Sequence, residues 1–218
     1  MFSLDLDGIA TRSSSVLFLG AHCDDIEIGC GATAMRLLEA NPRLDVTWVV
    51  LSSTDARARE AQDSARAFLE AAEEATVRIE HFRERYFPFA GAEIKEFFDE
   101  LGQVLSPDVV FTHRSGDMHQ DHKLLCELAW HTFRDSLILE YEIPKFEGDL
   151  GQPNFFVHLD ERLCAQKIDY LGKYFGSQRD KHWFADETFW SLMRIRGVES
   201  KAPSGYAEAF HCRKLVTG

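Results

Sequence analysis

The chain has 218 residues, 45% hydrophobic and 28% charged, enough for one sizeable domain with a full core and too polar for a chain of membrane spans. Its net charge of −12 repels nucleic acid and anionic membranes, although a few local arginines would suffice to hold a small anionic ligand. Five cysteines without paired spacing predict a reducing compartment and no disulfide framework. The acids of Met1–Asp7 stand where a secretory leader has basic residues, so a cytoplasmic location is expected.

Ser15 to Ala21 is a continuous apolar run that reads as a strand buried on both faces. Gly29-Cys30-Gly31-Ala32-Thr33 opens a helix to about Ala40. Val46 to Leu51 is a second buried strand, followed by Ser52-Ser53-Thr54-Asp55 as turn and N-cap. Ala56 to about Glu74 is a helix with Ala61, Ala65, Phe68, Leu69 and Ala72 in one stripe. Strands at Val77–Phe82, Asp108–Thr112 and Leu137–Tyr141 alternate with helices at Ile94–Leu105 and Asp121–Arg134. This alternation predicts an α/β fold with a mostly parallel, doubly wound sheet and helices on both faces. After Pro144 the pattern loosens into a Gly/Pro-bearing loop (146–154), helices at Asp160–Phe175 and Asp186–Arg194, and a late strand at Tyr206–Val216. This tail forms a C-terminal α/β extension. No linker or repeat divides the chain, so a single domain over 1–218 is expected.

Two clusters stand at strand ends, where ligands bind in such sheets: His22-Cys23-Asp24-Asp25 and His119-Gln120-Asp121-His122. Residues three apart in a first helical turn share a face. His22, Asp25 and His122 therefore suit a catalytic zinc site, which has three protein ligands and an open position for water. That leaves Asp24 as general base. His119 would protonate a leaving amine or stabilise an oxyanion, and Asp121 or Asp117 would orient a histidine. Solvated loops with N-cap aspartates are the plain alternative, but they do not explain two histidine pairs at strand ends.

Ala21-His22-Cys23-Asp24-Asp25-Ile26-Glu27-Ile28-Gly29-Cys30-Gly31-Ala32-Thr33 resembles the AHPDDE-x-x-GCGGT signature of the LmbE-like, or PIG-L, deacetylases. Thr112-His113 with Asp117-Met118-His119-Gln120-Asp121-His122 resembles that family's second motif, and Tyr141-Glu142-Ile143-Pro144 and Gly205-Tyr206-Ala207-Glu208-Ala209-Phe210 resemble its tail. The resemblance implies a Rossmann-like fold and a hydrolase that removes the N-acetyl group from an N-acetylated (GlcNAc-type) amino sugar or glycoconjugate. It implies one Zn2+ per chain on His22, Asp25 and His122, with other divalent ions able to replace it. Asp24 would be the base, and His119, supported by Asp121, would stabilise the tetrahedral intermediate. Glycan or natural-product sugar biosynthesis is the implied setting, with no nucleic acid, no membrane insertion and homo-oligomerisation left open. An amidase on a non-sugar N-acyl substrate and a catalytically silent sugar-binding homologue are the rivals. Intact Asp24 and His119 argue against the second. Cys23 replaces the usual proline and reads as a small buried turn residue rather than a stray ligand.

Arg59, Glu27 and Arg114 are the candidates for substrate contacts, with Arg57 beside Arg59 on the same helix start. Glu208 is a candidate to reach the pocket. Phe155, Phe156, Trp183, Phe184 and Trp190 are either core or sugar-stacking residues. The Gly29 and Gly31 positions fit close helix–strand packing better than a dinucleotide fingerprint.

Overall fold

The structure, a computed structural model, describes residues 15–216, so Met1–Asp7 lies outside the described residues. Five parallel strands form the body of the sheet: β1 (Ser15–Gly20), β2 (Asp45–Val50), β3 (Ala75–Ile79), β4 (Val109–His113) and β5 (Leu137–Tyr141), in the order β3-β2-β1-β4-β5. Two further strands, β6 (Phe155–Leu159) and β7 (Tyr206–Cys212), complete one edge, β7 antiparallel to β5 and β6 antiparallel to β7. Alternate residues of each buried strand feed opposite faces. Val16 and Phe18 of β1 pack with Trp48 and Phe111 under α1 (Asp25–Ala40), α2 (Asp55–Phe68), α5 (Glu161–Tyr174) and α6 (Asp186–Ser200). Leu17, Leu19, Val49, Val110 and Ile138 pack under α3 (Gly91–Val104) and α4 (Gln120–Thr132).

The chain winds from β1 through β2 to β3 on one side and from β4 to β5 on the other, so strand order reverses between β1 and β4. The loops that leave those two neighbouring strands diverge and open a crevice beyond their carboxyl ends. Both histidine clusters leave into that crevice.

One element and several boundaries differ from the sequence expectation. The strand β6 was not anticipated. α2 stops at Phe68 rather than Glu74, because Glu70, Glu73 and Glu74 oppose the negative end of the helix dipole. β7 ends at Cys212 rather than Val216. The first helix begins at Asp25 rather than Gly29, and its backbone breaks at Cys30 (φ −148°, ψ 18°). That break frees the N–H groups of Ala32 and Thr33, and both donate to Glu208 on β7, at 3.1 and 2.7 Å. Lys167 donates to the same carboxylate at 2.7 Å and to the carbonyl of Ile28 at 2.6 Å. Glu208 therefore caps a broken helix and does not enter the crevice. Among the described residues no helix is long and apolar enough to cross a membrane.

Candidate metal centre and its cleft

The turn after β1 is tight: a Cβ on Gly20 would lie 2.9 Å from Ile26 Cγ1, so glycine lets the chain reverse into α1 there. A Cβ on Gly29 would meet the Tyr141 ring at 2.2 Å and one on Gly31 the Phe68 ring at 2.5 Å, so both glycines serve close packing. The turn presents His22 and Asp25 side by side, and the His22 N–H donates to Asp25 Oδ2 at 2.7 Å. After β4, the loop Arg114–Asp117 leads into α4, whose N-cap is His119 and which carries Asp121 and His122 in its first turn.

Three atoms converge across the crevice. His22 Nδ1 lies 3.1 Å from His122 Nε2 and 3.2 Å from Asp25 Oδ2, and His122 Nε2 lies 3.4 Å from Asp25 Oδ2. Each imidazole is backed by a carboxylate on its other nitrogen. His22 Nε2 is 3.2 Å from Asp121 Oδ2, and His122 Nδ1 is 3.0 Å from Asp117 Oδ2. With those outer nitrogens protonated, two imidazole lone pairs and a carboxylate oxygen face one another with no hydrogen between them. Such a triangle is repulsive unless a cation sits in it. A tetrahedral ion with bonds of about 2.0–2.1 Å places its ligands about 3.3–3.4 Å apart, so the observed spacing fits zinc.

The electrostatics say the same. Burial draws the His22 pKa down, but the Asp25 charge and the hydrogen bonds to Asp121 and Asp25 outweigh it and raise the value to about 10. Without an ion a proton holds the triangle together, which is the usual exchange at a metal site. Burial and the nearby His113 lower His122 to about 3, so it stays neutral with a lone pair to offer. Burial of Asp25 is outweighed by the surrounding histidines, which hold its carboxyl well below the usual range.

Two further histidines border the triangle. His113 could be grouped with Asp25 and His122, and His119 with His22 and His122, as alternative ligand sets. His113 Nε2 is already engaged, 3.0 Å from the Ala21 N–H, 3.2 Å from Asp25 Oδ2 and 3.3 Å from the Tyr141 hydroxyl, and its Nδ1 is buried with no hydrogen-bond partner. It stacks on His122 with ring centroids 3.8 Å apart and so fixes that ring's plane. His119 Nδ1 accepts the Asp121 N–H at 3.3 Å, which leaves Nε2–H as a donor. Burial and His22 lower its pKa, so it is neutral.

Asp24 lies at the N-cap position of α1 but makes no side-chain cap bond. Its Oδ1 pairs with Arg57 at 2.9 Å, and burial raises its pKa against the pull of that guanidinium. Cys23 is fully buried, its Sγ–H points to the Ser52 carbonyl, and burial pushes the thiol up to about 12, so it offers no thiolate to an ion.

A cleft of about 250 Å³ opens from this cluster. It is floored by His22, Asp24, Asp25, His119 and His122 and walled by Arg57, Glu84 and Arg85, by Ile143 and Lys145 to Glu147, and by Lys181 and Trp183. That volume is below the ~300–1,000 Å³ of sites that swallow a drug-sized ligand, and suits a single ring or a small head group.

Residues 17–133 match the family described as PIG-L: GlcNAc-PI de-N-acetylase. The chain belongs to the PIG-L family. It is 29% identical over 174 residues to an uncharacterised deacetylase, YaiS, of Escherichia coli (strain K12), covering 76% of this chain and 92% of that protein. Its fold is that of the N,N'-diacetylchitobiose deacetylase of Pyrococcus horikoshii (TM-score 0.72, 19% identity, 95% of this chain and 86% of the other). It is also that of GalB, the 4-carboxy-2-hydroxymuconate hydratase of Pseudomonas putida KT2440 (TM-score 0.73, 19% identity, 94% and 98%). The same PIG-L-type fold thus accompanies two different reaction names, and the chemistry must be argued from the site.

Within the PIG-L frame, the structure brings His22, Asp24, Asp25, His119 and His122 together. Asp121 sits among them with a different partner from the one expected. Its backbone N–H meets His119, but its carboxylate holds His22 and accepts the N–H groups of Arg85 and Phe87. Arg85 takes a left-handed backbone (φ 66°) to make that contact. The three residues expected to touch substrate lie elsewhere. Arg59 is exposed and folds back on the Asp55 carbonyl; two positions along a helix turn a side chain to the opposite face, and Arg57 faces the cleft instead. Glu27 is fully buried behind the turn, with the Ser64 hydroxyl as its near polar neighbour. Arg114 clamps the carbonyls of Gly116 and Asp149. Of the aromatic candidates, Trp183 lines the cleft, whereas Phe155, Phe184 and Trp190 pack on the core. Lys145, Phe146, Glu84, Arg85 and Lys181 went unread in the sequence.

Proposed function

We propose that the protein is a zinc-dependent N-deacetylase that releases acetate and a free amine from an N-acetylated amino sugar or its conjugate. The observation that carries this reading is the convergence of His22 Nδ1, Asp25 Oδ2 and His122 Nε2 at 3.1–3.4 Å, with Asp24 and His119 beside them. A divalent ion there would polarise an amide carbonyl and lower the pKa of a water to about 7. Asp24 takes the proton of that water; its carboxylate is held by Arg57 and burial has raised its basicity. The His119 Nε2–H donates to the carbonyl oxygen as that oxygen gains charge. Asp24, now protonated, returns the proton to the departing nitrogen. Asp117 and Asp121 keep both ligand imidazoles turned with their free lone pairs inward. Trp183 and Phe146 offer apolar faces for a pyranose ring at the cleft mouth.

The five cysteines, all free, accord with a reducing compartment, and we place the enzyme in the cytoplasm as part of the same reading. The test pairs metal analysis of the purified protein with acetate release from a panel of N-acetylated amino sugars, their nucleotide forms and their glycosides. One zinc per chain and acetate from a panel member support the reading. A zinc-loaded protein that releases acetate from N-acyl amides without a sugar, and from no sugar, would replace it with the non-sugar amidase.

A further inference from the structure

The two carboxylate–imidazole pairs at the triangle are not equivalent. Asp121, which holds His22, is otherwise bonded by two neutral backbone donors, the N–H groups of Arg85 and Phe87. Asp117, which holds His122, accepts the His119 N–H on Oδ1 at 2.8 Å. Its Oδ2 accepts two donors at once: His122 Nδ1–H at 3.0 Å and the Lys145 ammonium at 2.9 Å. The Lys145 side chain is only 9% exposed and is anchored on both oxygens of Asp149, at 2.8 and 2.9 Å. Asp149 in turn accepts the Met118 N–H at 2.6 Å, so the lysine is held rather than tethered loosely.

We infer that Lys145 is a positioning residue that weakens His122 as a donor by drawing on the carboxylate that His122 leans on. A carboxylate shared with an ammonium takes less of the Nδ1 proton, and the imidazole then pushes less electron density out through Nε2. The charge balance points the same way. Asp24, Asp25, Asp117 and Asp121 crowd this site, and a divalent ion neutralises only half of that charge. Arg57 on Asp24 and Lys145 on Asp117 offset part of the remainder, each cation being shared with a second carboxylate, Glu84 and Asp149. Lys145 would keep a bound divalent ion the stronger acid; without Lys145 such an ion would be held as firmly but would polarise its ligands less. Lys145 also lies in the cleft wall, beside Phe146, so the same residue couples that wall to a ligand. The catalytic part of this inference rests on the deacetylase reading. The part concerning His122 does not.

The test compares Lys145→Met, Lys145→Arg and the double variant Lys145→Met/Asp149→Asn, which removes the carboxylate left facing Asp117. In the metal-free protein, the His122 Nδ1–H proton resonance moves downfield in both Met variants, as its carboxylate is no longer shared, and returns in Lys145→Arg. Zinc competition against a chromophoric chelator shows affinity no weaker than the parent's in the Met variants. With acetate as readout, kcat falls about tenfold while KM changes less than about threefold, and Lys145→Arg restores kcat. An unmoved resonance, or zinc affinity lost about tenfold or more in the double variant, would overturn the inference and make Lys145 a scaffold. If the parent itself releases no acetate, the proposed reaction fails while the resonance and the zinc competition still decide the role of Lys145.

Discussion

Zinc binding should cost the protein one proton, and the geometry says which. In the absence of metal, His22 carries a proton on both nitrogens. Nε2–H faces Asp121, and Nδ1–H fills the triangle with Asp25 and His122, with a pKa of about 10. His122, at about 3, has no proton to lose at neutral pH, and Asp25 is ionised throughout. Zinc must take the His22 Nδ1 lone pair, so each ion bound displaces one proton. Apparent affinity then rises about tenfold per pH unit from pH 6 to 9 and levels off near pH 10. At pH 7 the displacement subtracts about three decades, or about 4 kcal/mol, from the intrinsic affinity. The assay is chelator competition at a series of pH values, with proton release measured in parallel in weakly buffered solution. Asp121→Asn removes one of the bonds that raise His22 and should bring the plateau to lower pH. A flat affinity between pH 6.5 and 8 would refute the account of the triangle, because it would mean that His22 is neutral before metal arrives. A slope near two would place a second proton in the site.

Asp24→Asn should retain zinc and lose about 10²–10⁴ in kcat, the range for a positioned general base; near-normal turnover would remove Asp24 from that role. Arg57→Met should reduce kcat/KM while Arg59→Met leaves it unchanged, since only Arg57 reaches Asp24 and the cleft; equal losses would contradict the helix phase seen here. Glu27→Gln should stabilise the fold near neutral pH. Burial, only partly offset by the Ser64 hydroxyl nearby, raises Glu27 to about 8 from 4.5, so folding takes up a proton and stability falls as pH rises from about 4.5 to 8. Glutamine carries no such dependence, and at pH 7 the gain is at most about 3 kcal/mol by denaturant unfolding of metal-free protein. A parent and variant with parallel pH–stability curves would show that Glu27 is ionised in place.

The parallel body of the sheet was legible because strands buried on both faces are near-continuous apolar runs, as in Val16–Leu19 and, with Thr47 alone polar, Val46–Val50, and helices between them carry a 3.6-residue stripe. The convergence of His22, Asp25 and His122 was legible for a related reason: adjacent parallel strands deliver their following loops to one crevice, so two clusters about a hundred residues apart meet. β6 was not, because Phe155–Leu159 follows a Gly/Pro-bearing loop and pairs only with a strand some fifty residues later. Nor was the identity of the contact arginine. Arg57 and Arg59 differ by two places, and which of them faces inward depends on where α2 begins, a boundary that composition does not fix. Glu208 looked like a pocket residue because it lies in a motif. Its actual partners, the Ala32 and Thr33 N–H groups, became available only through a helix break that no residue pattern announced.

The cross-bracing of the two motifs accounts for the many carboxylates of the site, of which a bound ion would need only one. His22 comes from the loop after β1 but is held by Asp121 of α4, and the Ala21 N–H beside it is held by His113 at the end of β4. Asp121 also fastens the Arg85–Phe87 segment, against the strain of a left-handed Arg85, so one side chain joins three stretches of chain beside the triangle. Asp117 does the same on the other flank, joining His119, His122 and, through Lys145, the segment that carries Phe146. The ligands are thus fixed by contacts that do not themselves require metal. An ion of zinc's size would have only to displace a proton from that triangle.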